Sequence, residues 1–110
     1  DVHDVDLTLR GTITFTDFGP QREQWLVFVF IATSWSGVIA AGNDEGSLEW
    51  ASRVDLLAAC AGDSDASQQL PMWPGDRNFV PLVFDSDDRA FHATMPYDAD
   101  EPISWTVTRC

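Results

Sequence analysis

Leu70-Pro71-Met72-Trp73-Pro74-Gly75-Asp76-Arg77-Asn78-Phe79 sets a large flat ring, Trp73, in front of a helix start, with an acid inside the first turn. Pro74 suits a first helical position, because the N–H it lacks would find no partner there. Asp76 then stands where the helix dipole favours a negative charge. An aromatic face beside a carboxylate can grip a flat heterocycle: the ring stacks and the acid takes a hydrogen bond from an edge. The same residues also fit a plainer role, since an aromatic ahead of a helix commonly plugs a core. A second segment upstream, Asn43-Asp44-Glu45-Gly46-Ser47-Leu48-Glu49-Trp50, bears on that choice. It puts two adjacent acids before a glycine, then a short apolar stretch ending in another Trp.

Working outward, the chain expects strands first and mixed elements after. Val5 to Asp17 alternates: Val5, Leu7 and Leu9 fall on one face, the pattern switches near Gly11, and Ile13 and Phe15 follow. A glycine inside a strand predicts a bulge or a close backbone approach at Gly11. Phe18 to Arg22 reads as a turn. Trp25 to Trp35 is apolar on both faces, the pattern of a central strand. Val38 to Ala40 and Leu48 to Ala51 read as short strands. Ser52 is a suitable N-cap for a helix through Cys60, with Asp55 three residues on. Residues 61–69 are small, polar and acidic and read as a flexible loop or insertion. A second helix is expected from about Gly75 to Phe84, loosened by Pro81. Ala90 to Met95 and Ile103 to Thr108 read as the closing strands.

Composition fits one domain over residues 1–110, with enough apolar and aromatic side chains for a core. No apolar run approaches the ~18 residues of a membrane helix, and no leader pattern opens the chain. The charge excludes more. Eighteen acids stand against six bases, all arginine, for a formal net charge of −12. Non-specific DNA or RNA binding needs a basic footprint, which is missing. A polyanionic substrate would need divalent cations between it and the protein carboxylates. Solubility is the competing explanation of the charge. Cys60 lies in an apolar run and fits a small packed hydrophobe, and Cys110 is the last residue. No Cys/His spacing suits a metal, and His3 and His92 are isolated.

Taken in order, four stretches resemble the Nudix hydrolases, in particular the MutT-like branch that cleaves oxidised purine nucleoside triphosphates such as 8-oxo-dGTP. They are Leu7 to Phe15, Trp25 to Phe30, Asp44-Glu45 with Leu48-Glu49-Trp50, and Met72 to Phe79. Ala90-Phe91-His92-Ala93-Thr94 and Ile103 to Val107 also fit, so the likeness runs through nearly all of the chain. The family's defining box, a loop and helix with a core of the form R-E-x-x-E-E, has no counterpart. Arg22-Glu23 is followed by Gln24-Trp25-Leu26-Val27, which opens a strand. The chain begins at Asp1, about where the box would end, so the expectation is the C-terminal portion of a Nudix domain. The implied fold class is α+β: a mixed-sheet α/β/α sandwich incomplete at its N-terminal side. Val27 and Val29 are then expected to lack cover, calling for a companion segment or self-association.

The resemblance also implies chemistry. A Nudix enzyme holds Mg²⁺ or Mn²⁺ with carboxylates, and a metal-bound water attacks phosphorus, giving the monophosphate and pyrophosphate. Glu45 is the matching contributor here, as a metal ligand or a water-orienting base; a solvated loop acid is its plainer role. Trp73 would stack on the base and Asp76 would hydrogen-bond its edge. Phe15 and Trp25 match pocket-lining positions, with a core role competing. Gly75 stands where near relatives carry a second acid, and Asp17 where some carry a second aromatic, which predicts a more polar pocket. A nucleoside triphosphate partner, no nucleic acid, no membrane and a cytoplasmic location are implied. Residues 1–110 unaided are expected to be inactive. Two other classes stay open: a box-less Nudix-like module that binds without catalysis, and a secreted acidic domain stapled through Cys60 and Cys110.

Overall fold

A computed structural model describes residues 2–109, with the backbone alone at Asn43. Two long strands, β1 (Val2–Phe18) and β2 (Glu23–Gly37), form an antiparallel hairpin. A small hairpin follows, β3 (Gly42–Asn43) with β4 (Gly46–Ser47). Then come three helices, α1 (Arg53–Cys60), α2 (Ser64–Gln69) and α3 (Asp76–Val83). β5 (Phe91–Ala99), β6 (Glu101–Pro102) and β7 (Thr106–Arg109) close the chain. β5 lies parallel to β1 and antiparallel to β6 and β7, so the main sheet is mixed, in the order β2-β1-β5-β6 with β7 also on β5. Parallel neighbours cannot be joined by a tight turn, and the helical segment supplies the crossover.

β5 shows why the core sits where it does. Phe91, Ala93, Met95 and Tyr97 are buried while His92, Thr94 and Asp98 are exposed, the two-residue period of a sheet with one covered face. Ile13 of β1 and Val83 of α3 join the buried row, with Phe79, Leu82 and Phe84 packed against it. Ile13, Phe91 and Met95 are its largest fully buried side chains.

The expected bulge at Gly11 is present. The β1–β2 register shifts between Leu9 and Gly11, and a Cβ at Gly11 would lie 2.5 Å from the Phe91 ring. The extra residue aims Arg10 inward. Its Nε donates to the Val83 carbonyl at 3.0 Å, and its Nη2 to the carbonyls of Leu82 at 3.2 Å and Asp87 at 2.8 Å. Carbonyls at a helix C-terminus have no partner within the helix, and a buried guanidinium supplies one. α1 begins as expected, with Ser52 Oγ accepting from the Asp55 N–H at 3.1 Å. Arg53 lies over the Phe84 ring at 5.0 Å and ties α1 to the end of α3.

Several expectations need correction. β2 is an edge strand, not a central one. Its inward side chains Val27 and Val29, expected to be bare, are half-buried against the core. The uncovered apolar side chains alternate with them: Leu26, Phe28 and Phe30 are each more than half exposed. Val38 to Ala40 and Leu48 to Ala51 form no strand. Residues 61–69, expected as a flexible loop, contain α2, whose N-cap Asp63 accepts from the Ala66 N–H at 3.0 Å. The acids that suggested a loop act there as a cap and a first-turn charge. Pro74 is not the first helical residue, since Gly75 is the N-cap and Asp76 opens the helix. Cys60 is free and half-buried, 3.9 Å from Met72 Sδ; its suggested pairing with Cys110 lies outside the described residues. Among the described residues no helix is long and apolar enough to cross a membrane.

Candidate functional site

The start of α3 meets the ends of β1 and β5, and the pairing register brings distant residues to one place. Phe15 lies opposite Trp25 across β1 and β2 and opposite Met95 across β1 and β5. The Tyr97 ring meets Phe15 edge-on at 5.7 Å and Phe18 edge-on at 4.9 Å, and Phe15 and Phe18 are 5.5 Å apart. Edge-to-face packing suits the ring quadrupoles and fixes the ring planes.

Phe18 enters this cluster through a second bulge. Asp17 has φ +52°, and both pairings of β1 shift register between residues 15 and 18. Regular alternation would have placed Asp17 beside Phe15. The extra residue turns Asp17 aside and brings Phe18 over instead, so the wall is aromatic where Asp17 had predicted a more polar one.

Asp76 caps its own turn. Its Oδ2 accepts the Trp73 N–H at 3.2 Å, while its N–H donates to the Trp73 carbonyl at 3.0 Å. The carboxylate so closes the turn that runs from Trp73 into the helix. Burial pushes the Asp76 carboxyl above its ordinary value, more than the Trp73 N–H pulls it down. Tyr97 is raised too, by burial first and then by the nearby charges of Asp76 and Glu101. Trp73 itself is 72% exposed, which rules out the core-plug role. With Pro71, Met72 and Pro74 it lines an open depression ahead of the helix. Trp25 is also half exposed at the edge of the aromatic cluster.

Of the residues named from sequence, Phe15 and Trp25 pair across the strands and Trp73 and Asp76 share the turn ahead of α3, with Tyr97 touching Phe15 by its ring and reaching Gly75 by its hydroxyl. Sequence reasoning passed over Tyr97 and Phe18. The alternation Phe91-x-Ala93-x-Met95-x-Tyr97 carried the first signal; the bulge that moves Phe18 leaves no mark in composition.

Glu45 lies elsewhere. It occupies the β3–β4 turn and lines a separate depression with Ala40, Gly42, Gly46, Ser47 and Leu48. Nearby, Trp50 stacks on Trp35 with centroids 6.2 Å apart. Among the described residues no group of three or more His, Cys, Asp or Glu is placed to hold a metal ion. The described donor set therefore does not make a Mg²⁺ centre by itself.

The backbone arrangement has a close counterpart among solved structures. A MutT mutator protein from Bacillus halodurans superposes with a TM-score of 0.73 over 96% of this chain, at 24% identity. The fold is MutT-like. In sequence, the chain is 26% identical over 98 residues to the uncharacterized Nudix hydrolase YvcI of Bacillus subtilis, covering 87% of this chain. The structural match speaks for the fold, and the sequence match is to a Nudix hydrolase. The chain spans about half of the YvcI length and 63% of the MutT chain. No protein-family model matches it.

Proposed function

We propose that this chain forms the base-recognition part of a Nudix pyrophosphohydrolase acting on purine nucleoside triphosphates, including oxidised ones. The observation that carries the proposal is an exposed ring, Trp73, in a turn closed by the Asp76 carboxylate, with Gly75 of that turn set against Tyr97 of the Phe15–Phe18–Tyr97 cluster. Such a site offers a stacking face, an acceptor for a base N–H, and apolar walls. Glu45 is proposed as the one contribution to phosphate and metal handling, with the remaining metal carboxylates, for Mg²⁺ or Mn²⁺, coming from outside these residues. The names of the two relatives, a Nudix hydrolase and MutT, agree with a phosphate-cleaving role.

Calorimetry with purine nucleoside triphosphates, with and without Mg²⁺, tests this reading. Trp73→Ala should weaken binding by about 1–3 kcal/mol, the range for losing a base–aromatic stack. Equal affinity in Trp73→Ala for every nucleotide tried would remove Trp73 from the site. The alternative reading is a nucleotide- or protein-binding module without catalysis. Metal-independent binding with no turnover in the longest natural product would support that one instead.

A further inference from the structure

The stacked pair Trp35 and Trp50 lies outside the site described so far. The two rings are within 21° of parallel. Trp50 is nonetheless 80% exposed, so Trp35 sets its plane while the other indole face stands open to water. Trp50 belongs to no strand or helix, and the stack rather than a backbone ladder fixes the ring. Two depressions meet at it. One, of about 360 Å³, is chiefly apolar and lined by Ile39, Ala40, Ala41, Leu48, Glu49 and Trp50. The other, of about 260 Å³, is chiefly polar and shares Glu49 and Trp50 with the first, adding Ser52, Asp55 and Gln69. The charges along this groove have one sign. Glu49 and Asp55 supply carboxylates without an ion-pair partner among the described residues, and no arginine lines either depression. Arg53, the nearest in sequence, has its guanidinium over the Phe84 ring instead.

We infer that this groove docks a basic peptide segment of a partner protein, through an arginine next to an apolar residue. The apolar side chain enters the hollow between Ile39 and Leu48. The guanidinium lies on the open face of Trp50, where the ring quadrupole attracts a cation. It donates to the Glu49 carboxylate through the planar fork that arginine has and lysine lacks. Asp55 adds attraction from the polar end. Charge complementarity selects this occupant. With a net charge of −12 the chain speeds encounter with a basic partner, and it repels both nucleic acid and a second copy of itself. The inference is independent of the base-recognition reading, since Trp73, Asp76, Phe15 and Trp25 line neither depression.

The test is nitrogen–proton correlation NMR of the chain during titration with N-acetyl-Leu-Arg-amide, its citrulline analogue, N-acetyl-Ser-Arg-amide and guanosine. Citrulline keeps the shape of arginine and removes the charge. The Leu-Arg amide should shift the indole N–H signals of Trp35 and Trp50 and the backbone signals of residues 39–41 and 48–55. The citrulline analogue should bind about 2- to 5-fold more weakly, the value of an exposed cation–π contact. The Ser-Arg amide should lose roughly 5-fold, for a leucine side chain partly withdrawn from water. Glu49→Gln should reduce the preference for arginine over citrulline. Trp50→Ala, at an exposed loop position, should leave the rest of the spectrum in place and lose binding. No shift of these signals at about 10 mM peptide, a generous limit for contacts of this size, overturns the docking surface. Equal affinity for the citrulline analogue overturns the cationic partner. Guanosine shifting the same signals as strongly as the Leu-Arg amide overturns the peptide in favour of a second base platform. Each of these outcomes leaves the role of Trp73 untouched.

Discussion

Placing a methyl group at position 75 tests the packing on which the site depends. The Gly75→Ala Cβ would overlap the Tyr97 hydroxyl, sit 2.8 Å from Met95 Sδ and come 3.3 Å from Tyr97 Cζ. Two costs combine. Gly75 is the N-cap of α3 without a side-chain cap, and alanine is poorer than glycine there by about 0.5–1 kcal/mol. Overpacking adds about 1–3 kcal/mol. The first cost does not depend on Tyr97 and the second largely does. Tyr97→Phe alone should be nearly neutral, within about 0.5 kcal/mol, because the hydroxyl has no hydrogen-bond partner among the described residues to lose. In the Tyr97→Phe background, Gly75→Ala should then cost about 1–2 kcal/mol less than in the parent, leaving the Met95 contact. Urea unfolding of the parent, both single variants and the double variant, followed by Trp fluorescence, measures this coupling directly. Equal costs in the two backgrounds, within about 0.3 kcal/mol, would show that the Tyr97 hydroxyl does not occupy the space beside Gly75.

Other features give further expectations. Arg10→Met removes a buried guanidinium from the carbonyls of Leu82, Val83 and Asp87 and should cost about 2–4 kcal/mol in the same urea assay. Arg10→Lys should recover little, because one ammonium cannot span the forked set of acceptors; full recovery would refute the geometry. Asp85 is held below its ordinary pKa chiefly by the Arg109 hydrogen bond, and Asp87 chiefly by that of Arg89. Depressed carboxylates stabilise the fold above their ordinary pKa, and that contribution fades as pH falls below it. Asp87→Asn should therefore flatten the loss of stability below about pH 4, as followed by thermal melts; an unchanged acid limb would count against these pairs. Asp76 runs the other way, raised by burial, so its charge works against the fold above its own pKa. The bare β2 row predicts binding of the dye ANS, lowered when Phe28 and Phe30 become Gln; equal fluorescence would mean that row is covered in solution.

Local signals carried the parts of the fold that depend on local physics. The Ser52 cap, the first-turn Asp55 and the glycine switch in β1 each name a backbone geometry, and each is found there. The helix after Gly75 is also found, although Pro74 misplaced its first residue by two. What sequence could not show is set by tertiary pairing. A strand apolar on both faces reads as central, yet β2 lies at the edge with one apolar row open. Periodicity reports which side chains avoid water and not which element covers them. The acids of residues 61–69 are helix-capping residues as much as loop residues, and only the chain's path chooses between them. At the site, Trp73 and Asp76 could be named because ring and acid are close in sequence. Tyr97 could not, because it meets Gly75 only through the parallel pairing of β5 with β1.

The bulge at Asp17 also bears on how such a pocket diverges. A substitution at residue 15 or 18 changes one ring, but gain of one residue between them restores alternation and sets a different side chain beside Phe15. An insertion between Thr16 and Asp17 would set the new side chain beside Phe15 and carry Phe18 two positions further along the strand, away from Tyr97. Selectivity of the proposed site is therefore open to change by chain length as well as by side-chain identity. Two homologues with the same residues around the pocket, differing by one position in this strand, would present different surfaces to the same base.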